Sequence, residues 1–133
     1  MATIFSKIVT RDIPAHIVAE DDHYLAFLDI NPLVEGHTLV IPKKEEDYIF
    51  DLDHQTLEGL FSFSKGVALA IEQVVTCERI GVSVIGLEVP HAHVHLIPIN
   101  AVDDMNFSRM KLSPSKEELA ATAKKIKEAY DRK

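Results

Sequence analysis

Apolar and polar positions change period several times along the chain, and each change marks an element. Ile4, Phe5, Ile8 and Val9 recur at helical spacing, and Ile13-Pro14 interrupts them, which predicts a short N-terminal helix. Two β-rich runs, residues 16–20 and 24–28, flank Asp21-Asp22 and predict a hairpin. Residues 29–36 hold several turn formers, and His37-Thr38-Leu39-Val40-Ile41-Pro42 predicts a third strand with proline at its end. After a charged connector, Asp53 is a fitting N-cap for a long helix carrying Leu57, Leu60, Phe61, Val67, Leu69, Ala70, Ile71, Val74 and Val75. So much apolar surface predicts burial against the sheet or a second subunit, with Gly66 allowing close packing. Two more strands follow, residues 79–86 and 91–97. The period fades over residues 100–113. Ser115 with Glu118 then forms a capping box for a C-terminal helix reaching about Tyr130, its Lys and Glu predicting a mostly solvated surface. The expected architecture is α+β: a five-stranded antiparallel sheet, a long packed helix and shorter terminal helices. One domain spans residues 1–133, with no repeat and no low-complexity linker.

The last predicted strand has an unusual polar half. In His91-Ala92-His93-Val94-His95-Leu96-Ile97, histidines alternate with apolar residues. An extended backbone puts all three imidazoles on one face, with neighbours roughly 7 Å apart, and sends Ala92, Val94 and Leu96 into a core. A helix would scatter the three rings around its axis. Three polar rings in register need hydrogen-bond partners wherever they are buried. They fit a catalytic face, a metal site or the polar side of a half-exposed strand.

Composition narrows the class. At 133 residues, with 47% hydrophobic and 26% charged residues, the chain is an ordinary globular protein. It lacks an apolar run long enough for a membrane span and a signal-like N-terminal segment, so the expected location is cytoplasmic, without a membrane partner. One cysteine, Cys77, excludes an internal disulfide framework and a Cys-rich zinc cluster. A net charge of −7 argues against a nucleic-acid partner, but says little about a single phosphorylated metabolite.

The chemistry left open is metal binding or nucleophilic catalysis. Zinc accepts imidazole nitrogen. The outer histidines of a straight strand, however, lie roughly 13 Å apart at the backbone and converge poorly on one ion without a further ligand such as His37 or Glu88. A linear row suits a central nucleophilic imidazole whose neighbours orient it and handle protons. With an ordinary pKa of about 6.5, histidine is mostly neutral near pH 7 and keeps a lone pair on one ring nitrogen.

Residues His91 to Ile97 match the HφHφHφφ pattern, φ being apolar, and the chain resembles the histidine-triad (HIT) family. The resemblance extends upstream through Ile4-Phe5-Ser6-Lys7-Ile8, Ile13-Pro14-Ala15, Glu20-Asp21-Asp22, residues 25–30, Pro32 and Gly36–Lys43, so that it spans residues 4 to 98. It is closest to the Hint-like branch of small nucleotide hydrolases. The resemblance implies a nucleotide hydrolase that cleaves at the α-phosphate of nucleoside 5′-phosphoramidates or adenylated compounds through a nucleotidyl-histidine. Dinucleoside-polyphosphate hydrolysis and a catalytically vestigial purine-nucleotide-binding module are the alternatives. By the same resemblance His93 is the nucleophile, His95 serves phosphate and leaving group, and His91 and His37 order the surrounding hydrogen bonds. Asp29 would hold the ribose hydroxyls. Phe5, Ile8, Phe27 and Ile30 would line the base pocket with Leu39 beneath it, and Gly86, Glu88 and Val89 would shape the phosphate approach. No cofactor and no catalytic metal are implied, the substrate is a purine nucleotide, and a homodimer with a joined sheet is expected.

Two departures from the family pattern bear on the site. Some bacterial relatives hold structural zinc through Cys-x-x-Cys and a later histidine, where this chain has Thr3, Ser6 and Glu45. The turn before the triad is short, and Glu88 stands where a hydroxyl or amide usually meets phosphate. His16, His23 and His54 are expected to be ordinary surface residues. Tyr48, Phe50, Phe61 and Phe63 are expected in core or dimer packing.

Overall fold

The computed structural model describes residues 2–132. Strands β1 (Ile17–Glu20), β2 (Tyr24–Leu28), β3 (Thr38–Pro42), β4 (Arg79–Ser83) and β5 (Val94–Ile99) form one antiparallel sheet in the order β1-β2-β3-β5-β4. The chain leaves β3, crosses one face through α2 (His54–Val74), and returns along the edge as β4 before β5 fills the gap.

The sheet buries both faces, which is why β3 is buried throughout, with Thr38 its one polar residue, rather than alternating. On one face Val18, Ala26, Leu28, Val40, Val94 and Leu96 meet a stripe of α2 formed by Leu60, Phe63, Val67, Ala70 and Ile71. Those helix residues recur every three or four positions, and each large one contributes about 1.5–3 kcal/mol by leaving water. The Asp53 side chain caps α2 by accepting from Thr56 N–H at 2.7 Å. Helix α3 (Lys116–Asp131) begins with the expected Ser115/Glu118 capping box. Most of it is solvated, but Leu119, Ala123, Ile126 and Ala129 make a buried stripe against α2 and β1. The opposite face carries the short α1 (Ile4–Val9), whose Phe5 and Ile8 pack on Leu25, Phe27, Leu39 and Ile41.

Two strand boundaries next to the triad differ from the pattern reading. The histidine strand starts at Val94, not at His91. Its register pairs Val40 with Val94, so the next step would set Ala92 opposite Pro42, which has no N–H to give. Pro42 O is taken instead by His91 Nε2 (2.9 Å), and Ala92 N–H donates to Glu46 O. Strand β4 ends at Ser83 rather than Gly86, and residues 84–90 form the turn. A close approach on α2 occurs at Gly59. The Tyr24 ring lies over Gly59, and its hydroxyl donates to Thr56 O at 3.1 Å.

A Cβ added at Gly59 would sit 2.0 Å from Tyr24 Oη. Alanine gains about 1 kcal/mol in helix propensity, but displacing the ring costs a hydrogen bond and its packing on Phe63. Gly59→Ala is therefore expected to lose about 1–2 kcal/mol in urea unfolding. An equal or higher midpoint would remove the clash argument.

Among the described residues no helix is long and apolar enough to cross a membrane. Phe61 and Leu69 on α2 and Val82 on the edge strand remain exposed, as do Tyr48 and Phe50; Phe63 is core.

Candidate active site

The three triad histidines do share a face, and all are buried. His95 enters from β5 between Leu39 and Ser83, while His91 and His93 lie in the extended segment before it. Ala92, Val94 and Leu96 point to the opposite, α2-covered face, as the alternation requires. His93 and His95 have ring centroids 4.9 Å apart, and Phe5 of α1 stands edge-on to His93 at 5.0 Å.

Hydrogen-bond partners assign the tautomers, because a carbonyl only accepts and a backbone N–H only donates. His91 Nε2 faces Pro42 O, so it carries the proton, and Nδ1 accepts from the Thr3 hydroxyl at 3.1 Å. His93 Nδ1 faces His91 O at 2.8 Å and must donate there, which leaves the lone pair on Nε2. On the neighbouring strand, His37 Nδ1 accepts from Leu33 N–H at 3.1 Å, so its proton sits on Nε2 and points at His95 Nδ1, 3.0 Å away. His95 Nδ1 is thereby an acceptor, and its proton is on Nε2. The outcome is two adjacent imidazoles of opposite character, with a basic Nε2 on His93 and an N–H donor at Nε2 of His95.

The assignments for His37, His91 and His95 need neutral rings, and burial supplies them. It lowers the pKa of His37 to about 3 and that of His95 to about 4, each helped by neighbouring imidazoles. His91 is also lowered by burial, which the Pro42 carbonyl partly offsets. Burial pushes the Asp29 carboxyl up, against the Asn31 N–H that it accepts at 2.9 Å.

His93 and His95 open onto a cavity of about 200 Å³ shared with His37, Asp29, Gly86 and Glu88. Gly86 adopts φ +75°, a left-handed turn that a side chain would strain, and Glu88 is exposed at the rim. Four of the residues expected at the base pocket form one buried cluster. Phe5, Ile8, Phe27 and Leu39 pack on one another in a closed cluster beneath the triad, with Val89 partly buried against it. None of them borders the cavity, and Ile30 is 61% exposed. Two cavity residues fall in the aperiodic 100–113 segment and carried no signal in the sequence. They are Phe107, edge-on to His95 at 4.9 Å, and Lys111.

Two places were tested as metal sites. The ligand atoms of Asp29, His37 and His95 lie within 4.8 Å of one another. Leu33 N–H, however, holds the His37 proton on Nε2, where a metal would need the lone pair, so these residues fit a hydrogen-bond relay better. Around His91, Ser6 N–H donates to Thr3 Oγ1, Thr3 N–H donates to Ser6 Oγ, and hydrogen bonds from Ser6 and Thr3 lower the Glu45 pKa. Hydroxyls are poor zinc donors beside thiolates, and both His91 nitrogens are engaged. The set does not fit structural zinc.

A five-stranded α+β sheet presenting oriented, neutral histidines defines the class of histidine-triad domains. The HIT domain model matches residues 10–102, and the chain belongs to that family. An uncharacterised HIT-like protein of Methanocaldococcus jannaschii is 42% identical over 102 residues, covering 71% of this chain and 77% of its own length. Adenosine 5′-monophosphoramidase HNT1 of Saccharomyces cerevisiae is 35% identical over 98 residues, 73% of this chain and 62% of that enzyme. Among solved structures, a hypothetical histidine triad nucleotide-binding protein from Sulfolobus tokodaii superposes with a TM-score of 0.82 at 30% identity, covering 96% of this chain and 91% of that one. Nucleotide hydrolysis is the general activity these relations support.

Proposed function

We propose that this protein hydrolyses nucleoside 5′-phosphoramidates, or similarly adenylated compounds, by nucleophilic attack of His93 on the α-phosphorus. The observation that carries the reading is the 2.8 Å bond from His93 Nδ1–H to His91 O, which commits the free lone pair to Nε2 beside the cavity. Nε2 forms a bond to phosphorus as the bond to the leaving amine breaks. The ring becomes cationic, and the same carbonyl stabilises that charge through a charge-assisted hydrogen bond. His95 Nε2–H, oriented by His37, donates a hydrogen bond to the departing nitrogen, and solvent in the open cavity supplies the proton which that nitrogen takes up, so His95 stays neutral. Water then attacks the nucleotidyl-histidine, the P–N bond breaks, and a nucleoside monophosphate leaves with His93 neutral again. Asp29, beside His37 at the cavity wall, accepts from the ribose hydroxyls. The similarity to the yeast monophosphoramidase supports this substrate class.

Acid-free quenching after mixing with adenosine phosphoramidate, followed by peptide mass spectrometry, tests the reading. The expected result is an adenylyl adduct on the peptide that contains His93. Turnover with no adduct on that peptide under rapid quench would overturn it.

A further inference from the structure

Residues 100–113 fold back over the histidine cavity as a strap. Leu112 N–H donates to Pro32 O at 2.9 Å, and Arg109 donates to Leu33 O at 3.3 Å while pairing with Asp104. The strap is thus tied to the same turn whose Leu33 N–H orients His37. It lays Phe107 against His95 and brings Lys111 into the cavity wall, with Nζ donating to Phe107 O at 3.2 Å.

The charges on that wall are unbalanced. Its carboxylates are Asp29 and Glu88, its histidines are buried, and Lys111 is the single Lys or Arg among the residues that line it. The ammonium lies close enough to lower both the Asp29 carboxyl and the His37 imidazole. An anionic phosphate approaching His93 therefore meets two acidic groups and one cation. One of the three N–H groups of Lys111 is used by Phe107 O, and two remain.

We propose that Lys111 binds the α-phosphate and makes the site prefer a nucleotide over the corresponding nucleoside. This rests on the nucleotide reading above and supplies the phosphate donor that Glu88 cannot. Because Lys111 is exposed, its attraction is screened by salt.

Calorimetric binding of AMP, GMP, adenosine and guanosine to the full chain tests the assignment, using wild type, Lys111→Met and Lys111→Arg at low and high salt. Losing a charge-assisted hydrogen bond predicts roughly tenfold or more weaker nucleotide binding in Lys111→Met. Nucleoside binding and thermal midpoint should be unchanged, Lys111→Arg should recover most of the loss, and the salt dependence of nucleotide affinity should flatten in Lys111→Met. Unchanged nucleotide affinity in Lys111→Met would overturn the role of Lys111 while leaving the nucleotide reading intact. Equal losses for nucleotide and nucleoside would reduce Lys111 to a structural strap residue. A wild-type protein that binds no nucleotide and forms no adduct on His93 would remove both.

Discussion

Replacing His93 with alanine is expected to lower kcat on adenosine phosphoramidate by a thousandfold or more, with nucleotide binding retained. The size follows from what is lost. Deleting a nucleophile removes the covalent route altogether, and residual turnover then comes from binding and neighbouring donors alone. A structural explanation is separable because His93 makes one hydrogen bond, to His91 O. His93→Asn can still donate an amide N–H there but has no nucleophilic nitrogen, so it should fold and be equally inactive. His95→Ala removes the hydrogen-bond donor to the leaving group instead, and the expected loss is about 10²–10³, greatest with poor leaving groups. Steady-state kinetics, with circular dichroism as the folding check, decide the matter. A His93→Ala enzyme retaining a tenth of wild-type kcat would mean that another group attacks.

That contrast between two neighbouring histidines was only half legible in the sequence. The alternation from His91 to Leu96 is local, so shared face and buried reverse side follow from strand geometry alone. The long helix with its Asp53 cap, the hairpin and the capped C-terminal helix were legible for the same reason: each signal lies within the element that it forms. The basic nitrogen of His93 is set locally, by His91 O two residues back, but the tautomers of His91 and His95 depend on groups far away in the chain. Thr3, Pro42 O, His37 and the Leu33 amide reach the triad through tertiary packing, and no spacing rule connects residue 3 to residue 91. Phe107 and Lys111 were hidden for another reason. The strap has neither a helical nor a strand period, because hydrogen bonds to the Pro32–Leu33 turn hold it in place of a packed apolar face. Among the apolar residues expected to line a base pocket, Phe5 stands edge-on to His91 and His93. Phe5, Ile8, Phe27 and Leu39 form one buried cluster, because packing on one another removes their apolar surface from water.

The buried histidines also predict an acid-sensitive fold with a definite pH window. His37 and His95 have folded-state pKa values of about 3 and 4, below the ordinary 6.5 of an unfolded chain. Between those limits the unfolded state binds more protons, so stability falls as the pH falls. By pH 5 the unfolded histidines are almost fully protonated and the folded ones almost fully neutral. The loss there is set by the distance from 6.5 to 5, not by how low the folded values lie. Two groups at about 1.4 kcal/mol per unit lose about 4 kcal/mol in total, a large part of the 5–15 kcal/mol typical of a domain. Asp29 acts in the opposite direction, since burial raises its carboxyl and it takes up a proton earlier in the folded state. Carboxylates held low, such as Glu20 with Lys43 and Arg11, add their own sensitivity only below about pH 4.5. The interval from pH 6.5 to 5 therefore isolates the histidines. Urea unfolding across that interval should show wild-type stability dropping by several kcal/mol, and His37→Asn/His95→Asn should lose most of the slope while being less stable at pH 7.5. A wild-type curve that is flat from pH 7.5 to 5 would mean that the paired imidazoles are not held neutral. The tautomers assigned to His37 and His95, and with them the hydrogen-bond donor beside His93, would then fail.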